Sequence, residues 1–253
     1  MRVQVLASGS KGNCTYIESK DTKILIDAGI NLIRIKKELE KINIDVNTID
    51  GILITHTHSD HINGLASIIK KLNIPVFIKE ELNSEIKKIV SQENIVIIEN
   101  EFNIKDLTIE VINASHDVPA FGFIVNGNNK SVVYLTDTGY INRKYYEITK
   151  NKDIYVIESN HDEKMLMEGP YPYILKQRVV GDQGHLSNRY TGRYLNKTIG
   201  ENTKYVILAH LSEHNNTPEL ALEQVKEELE SSIFDCNNII IAKQYEETEL
   251  VQV

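Results

Sequence analysis

The segment Thr55-His56-Thr57-His58-Ser59-Asp60-His61 constrains this chain more than any other. It gathers three imidazoles and one carboxylate within six residues, after the apolar run Gly51 to Ile54 and ahead of an amphipathic stretch through Leu65, Ile68, Ile69 and Leu72. The apolar run reads as a buried strand and the stretch, with apolar residues three and four apart, as a helix. The cluster therefore occupies the loop of a strand-loop-helix unit, where functional side chains are commonly presented by a rigid scaffold. Residues two apart in extended chain share a face, so His56 and His58 can grip one metal ion from the same side. The turn into the helix then presents Asp60 and His61 in another direction, toward a second ion. Solvent-facing loop histidines, or core histidines satisfied by hydrogen bonds, are the weaker reading of such a setting.

Elsewhere short apolar segments alternate with amphipathic ones, without repeats, linkers or long charge runs, which predicts one domain over residues 1–253 of the α/β class. Strands are expected at Val3 to Leu6, Cys14 to Ser19, Lys23 to Asp27, Pro75 to Ile78, Ile95 to Ile98, Leu107 to Ile112, Ile154 to Glu158, Lys204 to Ala209 and Asn238 to Ile241. Phe121 to Val125 and Ser131 to Leu135 read as a hairpin across Gly127-Asn128-Asn129. A helix is expected from about Asn31 to Ile42 on the apolar spacing Ile33, Leu39, Ile42, and another from Pro218 with Thr217 as its N-cap. No run is apolar and long enough to cross a bilayer, and Met1-Arg2-Val3-Gln4-Val5-Leu6 lacks the features of a secretory signal, so a cytoplasmic protein without a membrane partner is expected. Cys14 and Cys236 form no paired spacing and are expected to be small buried residues.

With its His-x-His-x-Asp-His pattern, the segment from His56 to His61 resembles the signature of the metallo-β-lactamase superfamily. That resemblance implies a four-layer αββα sandwich, with ligand loops gathered along one edge of its two sheets. It also implies further ligands at strand ends, and Ser115-His116-Asp117, Thr136-Asp137-Thr138-Gly139 and Ala209-His210-Leu211-Ser212 supply candidates in order. Carried over, His56, His58 and His116 hold a first ion, Asp60, His61 and His210 hold a second, and Asp137 bridges both. Asp27 matches an aspartate that supports the histidine loop from behind. Mixed histidine and carboxylate ligands suit two zinc ions, with manganese or iron as alternative occupants.

Two ions bridged by a carboxylate lower the pKa of a shared water to near neutrality, so the expected reaction is hydrolysis without a protein nucleophile. Asp60, beside that hydroxide, is expected to orient it and accept its proton. Many β-lactamases have arginine and cysteine where this chain has His61 and Asp137, and flavodiiron oxygen reductases have glutamate in place of His58. The segments Val156 to Asp162 and Gly184 to Asn188 instead resemble the phosphodiesterase branch, in which ribonuclease Z orients a histidine with a glutamate. Glu158 and His185 fit those roles, supplying a proton to a departing sugar oxygen.

Nearly end to end the chain resembles the YycJ/WalJ-type family of bacterial hydrolases, through Leu6 to Cys14, Gly169-Pro170-Tyr171-Pro172-Tyr173, Leu175 to Arg178, Gly184 to Asn188 and Ala209 to Ser212. This implies a nuclease, acting as a 5′-to-3′ DNA exonuclease linked to mismatch repair, with DNA ends as its nucleic-acid partner. Tyr171, Tyr173, Lys176 and Arg178 interleave aromatic faces with cations, as a stacking groove or as a lid packed on the domain. Ser8 to Asn13 is expected to form a tight loop near the metals. His161 and His214 are read as loop histidines with solvent or hydrogen-bond roles, outside the ligand set.

Net charge of −8 is the wrong sign for a surface that binds nucleic acid throughout, although two divalent ions would add four positive charges where a phosphate sits. The acidic balance leaves a second reading open, a small-molecule hydrolase such as a cyclic phosphodiesterase, lactonase or glyoxalase-like thioesterase. A non-catalytic regulatory member of the fold is a third, although such chains usually lose ligands and this one retains them.

Overall fold

The computed structural model describes residues 1–230, 232 and 236–253. Their strands, in chain order, are β1 (Arg2–Ala7), β2 (Cys14–Glu18), β3 (Lys23–Ile26), β4 (Gly51–Leu53), β5 (Val76–Ile78), β6 (Ile95–Ile97), β7 (Glu101–Ile104), β8 (Leu107–Ala114), β9 (Ala120–Gly127), β10 (Lys130–Leu135), β11 (Ile154–Glu158), β12 (Tyr205–Ala209), β13 (Ile239–Ile241) and β14 (Val251–Gln252). They form two seven-stranded sheets, ordered β14-β1-β2-β3-β4-β5-β6 and β13-β12-β11-β10-β9-β8-β7. Both are mixed: β1, β2 and β3 run antiparallel and β3 to β6 parallel, while β10 to β13 run parallel and β7 pairs antiparallel with β8.

Two compact units divide the chain, residues 1–111, 126–129 and 243–253 in one, and residues 112–125 and 130–242 in the other. In the first unit the helices Leu32–Lys41 and Leu65–Leu72 follow β3 and the histidine segment. The helix Leu65–Leu72 buries Leu65, Ile68 and Ile69, as its spacing predicts. The helix Leu32–Lys41 starts from Asn31, whose side chain accepts the Arg34 N–H, but it turns Ile35, Glu38 and Leu39 inward and leaves Ile33 82 % exposed. Ile33 is about 200° around the helix from Ile35, so both cannot face the same core. Cys14 is wholly buried, and burial pushes its thiol pKa far up. The side chain of Cys236 lies outside the described residues.

In the second unit β11 is buried along its whole length and β12 everywhere but its first residue, the continuous apolar pattern of parallel strands covered on both faces. Tyr155, Ile157, Val206 and Leu208 from these strands join Tyr194 and Leu195 of the helix Asn188–Thr198 and Ala221, Val225 and Leu229 of the helix Pro218–Leu229 in one core cluster. The latter helix is capped by Thr217, whose hydroxyl accepts the Leu220 N–H, with Pro218 opening it. The hairpin joining β9 to β10 turns on Asn128 and Asn129 alone, both left-handed at φ 52° and 59°, as a two-residue turn with matching twist requires. Gly127 belongs to the strand.

Ala28 to Ile30 pack under the histidine segment: a Cβ built on Gly29 would run into the Asp60 carbonyl oxygen, and one on Gly64 into the Ile30 carbonyl oxygen. Gly29→Ala is expected to destabilise the protein by about 3 kcal/mol or more, because backbone atoms must move apart. Ile33→Ala is expected to change stability by less than about 0.5 kcal/mol. Urea unfolding of both variants checks this pair, and equal effects would contradict the packing described.

Candidate metal centre

Each unit carries one cluster of candidate ligands. In the first unit β3 and β4 are parallel neighbours with Ile26 opposite Leu53, so the residues just beyond their ends meet. Asp27 takes the left-handed conformation, φ 63°, and is wholly buried. Its Oδ1 accepts the Thr55 N–H at 2.9 Å, the Thr55 hydroxyl lies 2.9 Å from Oδ2, and Oδ2 accepts His61 Nδ1–H at 2.7 Å. A proton held on Nδ1 leaves His61 Nε2 with its lone pair for a cation. Burial raises the Asp27 carboxyl above its ordinary pKa, opposed by the His61 imidazole and the Thr55 hydrogen bonds.

The His56 ring centroid is 4.8 Å from that of His58 and 4.0 Å from that of His61, and Asp60 Oδ2 is 3.4 Å from His61 Nε2. The tight loop expected from Ser8 to Asn13 does reach this cluster. Asn13 donates its backbone N–H to the Asp60 carbonyl at 2.7 Å, and its side-chain Nδ2 lies 3.0 Å from Asp60 Oδ2 and 2.9 Å from His61 Nε2. Nothing in the local sequence pattern marks Asn13 as a partner of residues so far along the chain.

In the second unit β10, β11 and β12 are successive parallel strands, with Leu135 opposite Ile157 and Ile157 opposite Leu208. Their ends deliver Asp137, Glu158 and His210 side by side, the place where open α/β sheets collect ligands. Asp137 and His210 are left-handed, φ 54° and 55°. Buried amides hold this backbone: Asn160 Nδ2 donates to the His210 carbonyl at 2.8 Å, and Asn216 Nδ2 donates to the Ser159 and Asn160 carbonyls.

Glu158 is the hub of the cluster. Its Oε1 is 2.7 Å from His185 Nδ1 and 2.9 Å from His210 Nδ1, while Oε2 accepts the Thr138 and Leu186 N–H groups at 3.0 and 3.2 Å. Burial alone would raise its pKa, but the two imidazoles outweigh it and bring the carboxyl down to about 2. Burial conversely lowers His185, and the Glu158 carboxylate more than reverses this, leaving the imidazole above its ordinary value. Asp137 Oδ1 is 3.3 Å from His210 Nδ1 and 3.9 Å from His185 Nδ1. One donor atom from each of Asp137, Glu158, His185 and His210 lies within 4.8 Å of the others. The His116 ring centroid is 5.3 Å from that of His185, and burial holds the His116 imidazole below its ordinary pKa.

Imidazole nitrogens oriented by buried carboxylates, with further carboxylates beside them, make a donor set that suits a zinc-like divalent ion in either cluster. His185 keeps 21 % of its side chain exposed, whereas Asp137, Glu158 and His210 keep 6 % or less, so His185 is the member of that group open to a substrate.

Other expectations need correction. His161 is 2 % exposed, and its Nδ1 has no hydrogen-bond partner among the described residues; a bridge to Ser187 draws it inward, and burial lowers its pKa to about 4. His214 is exposed near Tyr171, as a loop histidine should be. The cations of the Tyr171 to Arg178 stretch are engaged: Lys176 donates to the Met167 carbonyl at 2.7 Å, and Arg178 pairs with Asp117. Tyr173 is 70 % exposed, so it is not a packed lid residue.

The model of the "Beta-lactamase superfamily domain" family matches residues 22–211. The chain is 40% identical over 228 residues to the exodeoxyribonuclease WalJ of Streptococcus pneumoniae serotype 2, covering 87% of this chain and 85% of that protein. It is 34% identical over 241 residues to the exodeoxyribonuclease YycJ of Bacillus anthracis, covering 92% and 91%. Among solved structures, the metallo-β-lactamase fold protein YhfI of Bacillus subtilis superposes with a TM-score of 0.74 at 15% identity over 99% of both chains. The short form of human tRNase Z superposes with a TM-score of 0.66 at 15% identity over 98% of both. These likenesses establish the α/β sandwich of the metallo-β-lactamase fold expected from the sequence.

The Asp27 to His61 bond yields a direct test. Asp27→Asn removes the anion that fixes the His61 ring, and zinc affinity measured by competition with a chromophoric chelator is expected to fall about 10- to 100-fold. Unchanged affinity would show that Asp27 does not orient a ligand.

Proposed function

The chain belongs to the metallo-β-lactamase superfamily and, within it, to the YycJ/WalJ-type proteins, and on that premise we propose that it is a phosphodiesterase that removes nucleotides from DNA ends. It is a metal-dependent hydrolase. The observation that carries the finer reading is the buried Glu158 carboxylate gripping Nδ1 of His185, the partly exposed histidine of its cluster. Two divalent ions, zinc by preference, would supply a hydroxide nucleophile at neutral pH and polarise the phosphodiester. In this reading residues 1–253 act as one hydrolase domain. His56, His58 and His116 would hold one ion, Asp60, His61 and His210 would hold the other, and Asp137 would serve both.

The chain's own residues then divide the work. Asp27 and Glu158 fix the tautomers of His61 and His210 through their Nδ1 atoms, so that Nε2 is the donor in each. Asp60 accepts the proton of the attacking water. His185, its Nδ1 bonded to Glu158 and its pKa raised by that carboxylate, passes a proton from Nε2 to the departing sugar oxygen as the phosphorus–oxygen bond breaks. Thioester cleavage expels a thiolate that leaves without that proton, whereas a departing sugar alkoxide needs it, and so this pair favours a phosphodiester over a thioester. The relatives named exodeoxyribonucleases support DNA as the polymer.

The assay is metal-replete protein with end-labelled single- and double-stranded DNA and RNA. Stepwise shortening from one end is expected, abolished by chelator and by Asp60→Ala. His185→Ala is expected to slow DNA cleavage by about 10²- to 10⁴-fold while sparing bis(4-nitrophenyl) phosphate, whose leaving group needs no proton. Equal losses on both substrates would remove His185 from the role of acid, and cleavage of only a lactone or thioester would remove the phosphodiesterase reading.

A further inference from the structure

A groove in the second unit, with a volume of about 460 Å³, is lined by four tyrosines and three cations and by no acidic residue. That bias is unexpected on a chain with 36 acidic and 28 basic residues. The helix Asn188–Thr198 builds one wall, because Tyr190, Arg193, Tyr194 and Lys197 stand at positions i, i+3, i+4 and i+7 and share a face. Its other side approaches the helix Pro218–Leu229 closely at Gly192, where a Cβ would lie 2.7 Å from the Glu228 Cβ, so the stripe is fixed in orientation.

The floor is an edge-to-face pair, Tyr146 and Tyr194, with ring centroids 5.2 Å apart and planes at 82°. A hydrogen bond joins Tyr146 to Tyr190, and the Tyr190 hydroxyl accepts the Ile141 N–H at 3.4 Å, so these rings are held in place. Tyr140 stands at the rim, 38 % exposed. Arg193 shares its charge with Glu228, whereas Arg143 and Lys197 are exposed and in no ion pair among the described residues. Tyr190 also lines the neighbouring cavity of about 350 Å³ that contains His161 and His185.

We propose that this groove binds the single-stranded DNA segment adjoining the scissile phosphodiester, its bases on Tyr140, Tyr146 and Tyr190, with the buried Tyr194 backing them, and its phosphates on Arg143 and Lys197. The proposal rests on the phosphodiesterase reading above and adds where the strand runs: past Tyr190 to His185. Aromatic faces in a recess are reachable by unstacked bases and not by the stacked bases of a duplex, while cations at the rim track a backbone. The groove also resolves the conflict between an acidic chain and a polyanionic substrate, since attraction is needed only along the strand's path.

The test uses full-length protein, a fluorescein-labelled oligothymidylate with phosphorothioate linkages that resist cleavage, and anisotropy across a salt series. The Arg143→Ala/Lys197→Ala double variant is expected to bind about tenfold more weakly, with a log–log salt slope shallower by about 1.4, at roughly 0.7 for each phosphate no longer neutralised. Tyr140→Ala is expected to weaken binding without changing the slope, and Lys37→Ala, an exposed cation in the other unit, to do neither. Hydrolysis of bis(4-nitrophenyl) phosphate should stay within twofold in all of them. Unchanged affinity and slope in the double variant, or a duplex bound in preference to the single strand, would overturn the groove. Failure of the wild type to hydrolyse any phosphodiester, with binding still dependent on Arg143 and Lys197, would overturn the phosphodiesterase reading and leave the groove in place.

Discussion

A carboxylate removed from water must be surrounded by hydrogen-bond donors, because an uncompensated buried charge costs several kcal/mol even after the protein relaxes around it. Glu158 and Asp27 are both wholly buried, and what surrounds each is dictated by that requirement. Glu158 recruits two imidazoles and two backbone amides; Asp27 recruits one imidazole and both the amide and hydroxyl of Thr55. The same bonds set which nitrogen of His61, His185 and His210 carries a proton. Structural compensation and chemical preparation are thus one interaction, and losing either carboxylate would disorder ligands and fold together.

The backbone tells the same story. Asp27, Asp137 and His210 adopt positive φ although none is glycine, a conformation that costs of order 1 kcal/mol for each. All three lie within two residues of the ends of parallel strands, where the chain must turn sharply to aim a side chain across the strand ends. The buried amides of Asn160 and Asn216 hold that turn at His210, and Thr55 anchors Asp27. Backbone held in this conformation at three donor-bearing positions is what a site needing fixed donors requires.

How much can be read from the sequence follows from how local each determinant is. The segment His56 to His61 is legible because its residues act within one loop, and Asp137 and His210 because apolar runs announce the strands they terminate. The pairing of Glu158 with His185 follows from motif resemblance, but its second bond, to His210, depends on the register of β11 against β12 and has no local signature. Asn13 against Asp60 and His61 is a contact of the same kind. Ile33, Leu39 and Ile42 fit a helical period, which misplaces Ile33 in the core, because Ile35 and Leu39 define the buried stripe. The groove helix Asn188–Thr198 carries tyrosines and cations on its groove face, so apolar periodicity does not reveal it.

In the proposed reading the oriented histidines carry the chemistry and their surroundings choose the substrate, as expected of a fold that hosts many hydrolases. The central claim is that the two ligand sets serve a pair of divalent ions. Anomalous diffraction from crystals of protein purified without chelator tests it most directly. The account predicts two ions a few ångström apart, one on His56, His58 and His116, the other on Asp60, His61 and His210, with Asp137 on both. Full-length, well-ordered protein showing no anomalous density on those residues after loading with zinc or manganese would contradict it.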